Sequence, residues 1–147
     1  MNERKALPAA DAAEARPKWR EIAIKAAPKL GNVYWCRFND AKLVPLPEMW
    51  KQRPVIVVGH KGLVLRGTCL VVPTSTDRQE TNQWKWLLPD YISEEIDGRE
   101  SWVLYSHLIT ISTSRLLQIK SKVLRLKQKD INELLVLIRN WLPSPSG

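Results

Sequence analysis

The chain is poor in several features that would direct it to particular functional classes. It has two cysteines and two histidines in 147 residues, and no Cys/His group has the spacing of metal ligands. No apolar run approaches the roughly 20 residues of a membrane span, and the N-terminal segment lacks the continuous apolar stretch of a secretory signal. We therefore expect a cytoplasmic protein without a metal or other cofactor, in which Cys36 and Cys69 are reduced core residues.

Acidic residues are also scarce. Asp and Glu number 15 against 23 Lys and Arg, which gives a formal net charge of +8. The excess is greatest between residues 115 and 129, a stretch with no acidic residue whose basic members are Arg115, Lys120, Lys122, Arg125, Lys127 and Lys129. This charge favours a polyanionic partner, which is either a nucleic acid or an acidic protein segment. The chain lacks a G-x-S-x-G motif, which argues against a hydrolase using Ser and His.

The length indicates one domain with enough chain to bury a core. Residues 1–29 are alanine-rich and interrupted by prolines, and we expect a loosely packed N-terminal arm that is partly helical or disordered. Short helices are predicted within it at 11–16 and 19–27. The compact domain is predicted to span residues 30–142, and residues 143–147 form a tail.

Short apolar runs rich in β-branched residues predict a mainly β domain. Strands are expected at 33–38, 54–58, 69–72, 83–88 and 101–111, with one or two more within 116–126. Residues 39–52 and 89–100 are interpreted as loops, the second of them acidic. A single apolar stripe at 128–142 predicts a C-terminal amphipathic helix. These elements indicate a small twisted barrel or β-sandwich capped by one helix.

The strands at 54–58 and 69–72 are expected to pair in antiparallel fashion around a glycine-containing loop. Arg53 precedes the first strand, and Thr74, Ser75 and Thr76 follow the second. Because antiparallel pairing brings the start of one strand beside the end of its partner, one guanidinium and three hydroxyls should meet at one rim of the sheet. Such a group of hydrogen-bond donors is suited to binding a phosphate.

Several segments occur in an order that resembles the MazF/PemK toxins of bacterial type II toxin–antitoxin systems. They are GNVYW from residue 31, RPVIVV from 53, VVPTST from 71, SHLITI from 106 and SRL from 114, followed by the closing helix. The resemblance covers about residues 31–142. It implies an SH3-like barrel that usually forms a homodimer. It also implies a metal-independent endoribonuclease that cuts single-stranded RNA at short sequences, inhibited by a cognate antitoxin with an acidic tail.

The resemblance also implies roles for individual residues. Arg53 and one hydroxyl after the VVP strand would act at the scissile phosphate. Counting from Pro73 favours Ser75, whereas hydroxyl identity favours Thr74 or Thr76. Some members carry an acidic residue and a nearby arginine where this chain has 103–108, a segment without either. His107 is the only imidazole in this segment, and either it serves as the general acid or base or the chemistry is weak; we expect the first.

RNA binding is expected to involve Trp50, Lys51, Tyr105, Arg115 and Lys120. Trp50 and Tyr105, together with Trp84 and Trp86, offer rings that could stack on unpaired bases, although tryptophans in a small barrel are also used for core packing. The basic groups could follow the RNA backbone or receive the acidic antitoxin tail. The alternative function is a non-catalytic SH3-like module that binds nucleic acid or an acidic peptide.

Overall fold

The computed structural model describes residues 22–38 and 52–146. The strands are β1 Ile22–Ala23, β2 Asn32–Cys36, β3 Arg53–Val57, β4 Thr68–Ser75, β5 Lys85–Leu87, β6 Trp102–Leu104, β7 Ile109–Ser112, β8 Leu116–Gln118 and β9 Leu124–Arg125. The helices are α1 Lys61–Val64, α2 Asp90–Ile96 and α3 Gln128–Trp141, and Thr113–Arg115 form a 3-10 turn. None of the helices in these two ranges has the length and apolar character needed to cross a membrane.

The strands form one mainly antiparallel sheet in the order β1-β8-β2-β3-β4-β6-β5. Strand β7 pairs with β4, and β9 pairs with β2. The predicted fold class, a small SH3-like barrel with a C-terminal helix, is confirmed. The central antiparallel pair is β3 and β4, with Ile56 opposite Val72. Strand β4 is longer than the apolar run suggested, because Thr74 and Ser75 extend it to pair with β6.

The alternation of side chains along β2 divides the core into two parts. Val33 belongs to a larger cluster that includes Val72, Val103 and residues of α2 and α3, whereas Tyr34 and Cys36 belong to a smaller cluster. This division follows from the strand geometry, in which successive side chains point to opposite faces of the sheet. Cys36 and Cys69 are both buried and free in the smaller cluster, as expected.

Helix α3 matches the predicted C-terminal helix and buries Ile131, Leu134 and Ile138 against the larger cluster. Its first turn is held by Tyr91 of α2 rather than by a capping residue of its own. The backbone N–H of Lys127 donates to Tyr91 Oη at 2.8 Å, and the Tyr91 hydroxyl donates to the carboxylate of Asp130. Burial and the bond to Asp130 raise the pKa of Tyr91 to about 12.

The structure corrects the prediction of a loop at 89–100, because residues 90–96 form α2. Pro89 occupies the N-cap position, where its missing N–H costs nothing, and Asp90 complements the helix dipole in the first turn. Ile92 is buried in the larger cluster, and Ile96 packs beside it one helical turn later. The segment is too short for a clear helical period, and its acidic residues resemble those of a loop.

Two other predictions need correction. The single strand expected at 101–111 is divided into β6 and β7 by a turn in which His107 N donates to Leu104 O at 3.0 Å. Of the N-terminal arm, residues 1–21 lie outside the described residues. Residues 22 and 23 form β1, paired with β8, rather than part of the helix predicted at 19–27, and Ile24 packs against the smaller cluster.

Candidate active site

Arg53 begins β3 and lies between two neighbouring strands. It pairs with Cys36 of β2. On the other side, Val55 of β3 pairs with Pro73 of β4, and the same register continued by two residues places Arg53 opposite Ser75. Its Nη1 donates to Thr74 O at 3.3 Å. Its Nε is buried and has no hydrogen-bond partner among the residues that the structure describes. The guanidinium is therefore held on β4 while one donor remains unsatisfied.

The electrostatic environment of Arg53 favours binding of an anion. Burial lowers the pKa of Arg53, and the negative charge of Asp77 acts in the opposite direction. A desolvated guanidinium with an unsatisfied donor gains more from a negatively charged acceptor than an exposed one does. A phosphate oxygen is such an acceptor, and its geometry matches the fork of an arginine side chain.

The three hydroxyls expected at this rim differ in what they are free to do. Thr74 is 2% exposed, and its Oγ1 donates to Pro54 O at 3.0 Å, which links β4 to β3. Ser75 is also buried, at 5% exposed, and its Oγ accepts the backbone N–H of Asp77 at 3.1 Å, so its O–H can still donate to an acceptor that reaches it beside Arg53. Thr76 follows the strand and is exposed. Ser75 is therefore the hydroxyl that shares a sheet face with Arg53 and keeps its donor.

His107 lies in the turn between β6 and β7 and is half-buried. Its Nδ1 is 3.4 Å from Ser106 Oγ. Burial lowers the pKa of His107, and the positive charge of Arg53 lowers it further. The imidazole is therefore in the electrostatic range of Arg53, and both influences favour its neutral form, which can accept a proton.

Not all of the residues expected to bind RNA lie near Arg53 and Ser75. Trp50 and Lys51 lie outside the described residues. Tyr105 is 6% exposed in the larger cluster, so its ring serves core packing and is not open to a base. Lys120 lies beyond the far end of β8, because that strand runs antiparallel to β2, and its Nζ is 3.9 Å from Glu95 Oε1.

Arg115 lies at the same end of the sheet as Arg53. The next residue, Leu116, pairs with Cys36, which pairs in turn with Arg53. Nη1 of Arg115 donates to Arg37 O at 3.0 Å, so this side chain also fastens the 3-10 turn to the chain that follows β2. Its position is compatible with the expected RNA contact, and its hydrogen bond shows a structural role as well.

Sequence reasoning did not single out Asp77 or Ser106, which contact or influence the site. Asp77 directly follows the three hydroxyls, and its position next to them was the available signal. Ser106 lies in the segment 103–108, for which sequence reasoning noted only the absence of an acidic residue and an arginine. Within residues 22–38 and 52–146 no group of three or more His, Cys, Asp or Glu side chains is arranged to hold a metal ion.

The fold is shared with solved toxin structures. The crystal structure of MazF (Form-I) from Deinococcus radiodurans matches with a TM-score of 0.62 at 17% identity, over 80% of this chain and 97% of that chain. The crystal structure of MazE-MazF (Form-III) from the same organism matches with a TM-score of 0.57 at 16% identity, over 79% of this chain and 96% of that chain. Comparison with curated proteins finds no match.

The sequence itself carries the family pattern over most of its length. Residues 29–142 match the family described as PemK-like, MazF-like toxin of type II toxin-antitoxin system. The match begins just before β2 and ends just after α3, so it includes strands β2 to β9, the site and the closing helix. The chain therefore belongs to the PemK-like, MazF-like toxins of type II toxin–antitoxin systems.

Proposed function

We propose that the protein is a metal-independent endoribonuclease that cleaves single-stranded RNA and acts as the toxin of a type II toxin–antitoxin pair. The observation that carries the proposal is the half-buried side chain of Arg53, whose buried Nε donor is unsatisfied among the described residues, opposite the hydroxyl of Ser75 and within the electrostatic range of His107. Membership of the toxin family supports the same reading.

In the proposed reaction the ribose 2′-hydroxyl attacks the adjacent phosphorus atom. Neutral His107 accepts the proton of the 2′-hydroxyl, and Arg53 and Ser75 stabilise the negative charge that develops on the non-bridging oxygens. The bond to the 5′-oxygen then breaks, and the proton held by His107 passes to that oxygen. The products are a 2′,3′-cyclic phosphate and a 5′-hydroxyl, and no redox step or metal is required.

The partners of this toxin are proposed from the family and from the charge of the chain. The net charge of +8 suits both RNA and an acidic antitoxin segment. The complex named MazE-MazF among the structural neighbours supports an antitoxin for this chain too. We expect a homodimer in the cytoplasm, bound by an antitoxin whose acidic tail covers the site around Arg53.

The test is cleavage of a mixed-sequence single-stranded RNA by the purified protein in the presence of EDTA. We expect fragments ending in 2′,3′-cyclic phosphate and 5′-hydroxyl. Arg53→Ala should reduce cleavage at least about 100-fold. The matched control is Arg66→Ala, which removes the same charge from an exposed position at the opposite end of β4. Binding of RNA without cleavage by the wild type would favour the non-catalytic module instead.

A further inference from the structure

The row of side chains that begins with Arg53 continues across two more strands. Ser75 of β4 pairs with Trp102 of β6, and Trp102 pairs with Leu87 of β5. Paired residues project from the same face of a sheet, so Arg53, Ser75, Trp102 and Leu87 lie in one row. With neighbouring strands about 4.8 Å apart, Trp102 lies about 5 Å from Ser75 and about 10 Å from Arg53 along this row.

Core packing does not account for the position of Trp102. The next residue, Val103, and its partner Trp86 point to the opposite face and pack in the larger cluster. Trp102 is half-buried and belongs to neither cluster, and its neighbour Leu87 is 43% exposed. An aromatic side chain and an aliphatic one thus form a partly open apolar surface beside the polar site.

A cation lies directly on this surface. The Nζ of Lys85 is 5.5 Å from the centre of the Trp102 ring, and it also donates to Gln79 O at 2.6 Å. Aromatic rings interleaved with basic groups form the usual surface for single-stranded nucleic acid, in which the rings stack on bases and the cations contact phosphates. The flexible stem of Lys85 allows its ammonium group to move from the ring to a phosphate. An acidic group also acts on this row of side chains, because, against the effect of burial, the negative charge of Asp77 acts to raise the pKa of Arg53.

We propose that Trp102 stacks on an unpaired RNA base of the nucleotide adjoining the phosphate held by Arg53 and Ser75, and that Lys85 contacts the backbone of that nucleotide. This inference rests on the proposed nuclease function and adds a base-binding site to it. Stacking accepts any base, because every base has an aromatic face. The site therefore contributes affinity and alignment of the scissile phosphate, whereas the choice of sequence is made elsewhere.

The test measures binding of two probes by fluorescence anisotropy. One is a mixed-sequence single-stranded RNA with 2′-O-methyl riboses, which cannot be cleaved by 2′-hydroxyl attack, and the other is the same backbone with abasic residues. Trp102→Leu keeps an apolar side chain without a ring, and Trp102→Phe keeps a smaller ring. We expect Trp102→Leu to weaken binding of the base-containing probe about 10- to 100-fold and Trp102→Phe to restore most of it.

Controls separate stacking from other effects. Trp141→Leu removes a half-buried tryptophan at the end of α3, outside the row, and should change affinity less than about twofold. The abasic probe should bind wild type and Trp102→Leu equally. The proposal is overturned if Trp102→Leu leaves affinity unchanged, if it weakens both probes equally, or if the wild type binds neither probe.

The same measurements distinguish this proposal from the nuclease function. If the wild type cleaves unmodified RNA but Trp102→Leu binds the base-containing probe normally, the stacking site is wrong and the nuclease stands. If the wild type does not cleave but Trp102→Leu loses base-dependent binding, the stacking site stands and the nuclease is wrong. Far-UV circular dichroism of each variant verifies that the fold is retained.

Discussion

Replacing each of the three hydroxyls separately should identify the one that acts at the phosphate. Ser75→Ala removes the hydroxyl opposite Arg53, whose O–H is available because its oxygen only accepts the Asp77 N–H. Loss of one donor to a developing oxyanion typically lowers kcat 10²- to 10³-fold, so we expect kcat/KM to fall about 100-fold, which corresponds to about 2.7 kcal/mol. The lost contact to Asp77 should lower the free energy of unfolding by about 1 kcal/mol.

Thr74 and Thr76 provide matched comparisons. Thr74→Val keeps the shape of the side chain but removes the donor to Pro54 O, so it should lower the free energy of unfolding by about 1–2 kcal/mol and kcat/KM less than about threefold. Thr76→Ala changes an exposed side chain and should alter stability by less than about 0.5 kcal/mol, with a similarly small effect on kcat/KM.

The assay combines initial rates on a fluorophore–quencher RNA with urea unfolding of each variant. Ser75→Thr keeps a hydroxyl and should retain most of the activity that Ser75→Ala loses. A larger loss of kcat/KM in Thr76→Ala than in Ser75→Ala would refute the assignment of Ser75. A loss in Ser75→Ala that merely follows the fraction of unfolded protein would also count against a role at the phosphate.

Three further results follow from other contacts. Gly31 has φ +88°, and an added Cβ would clash with Cδ1 of Ile131. Gly31→Ala should therefore lower the free energy of unfolding, measured in urea, by about 2–4 kcal/mol. The combined loss in Gly31→Ala with Ile131→Val should be smaller than the sum of the two single losses, because the second change removes the clashing atom. Tyr91→Phe should cost about 1–3 kcal/mol, and a change below about 0.5 kcal/mol would contradict its role in capping α3. The pKa of His107 measured by NMR should lie below its ordinary value of 6.5 and should rise towards that value in Arg53→Gln but not in Arg53→Lys. Because acid protonates the imidazole, kcat/KM should fall as the pH is lowered. An unchanged pKa of His107 in Arg53→Gln would refute the coupling.

The elements that sequence reasoning placed correctly are those in which one local pattern dominates. Strand β2 alternates between two buried faces, and α3 has an apolar stripe over several turns, so each reveals its type without tertiary information. Helix α2 was missed because it is seven residues long and its apolar Ile92 and Ile96 supply a single i,i+4 repeat. A pattern that short does not distinguish a helix from a loop.

The meeting of Arg53 with the end of β4 could be predicted because antiparallel pairing requires it. Which hydroxyl lies opposite Arg53 could not be predicted, because that depends on the register that places Ser75 there and turns Thr74 towards Pro54. A register is set by packing between strands that are distant in sequence, and shifting it by one residue would exchange the faces. Trp102 was overlooked for the same reason, since its neighbour in β4 becomes known only from the pairing of β6.

The position of His107 has a specific structural cause in the pairing of β4. Thr74 of β4 pairs with Val103 of β6, and Val71 of β4 pairs with Ile109 of β7. The chain from Val103 to Ile109 is therefore three residues longer than one uninterrupted strand paired with β4 would need. Strict alternation would place His107 on the face of Val103, which is buried in the larger cluster. The extra residues instead form a turn outside the ladder, and this turn brings the imidazole into the electrostatic range of Arg53. An apparent continuous strand at 101–111 is thus interrupted at the place where the proposed reaction needs a proton acceptor.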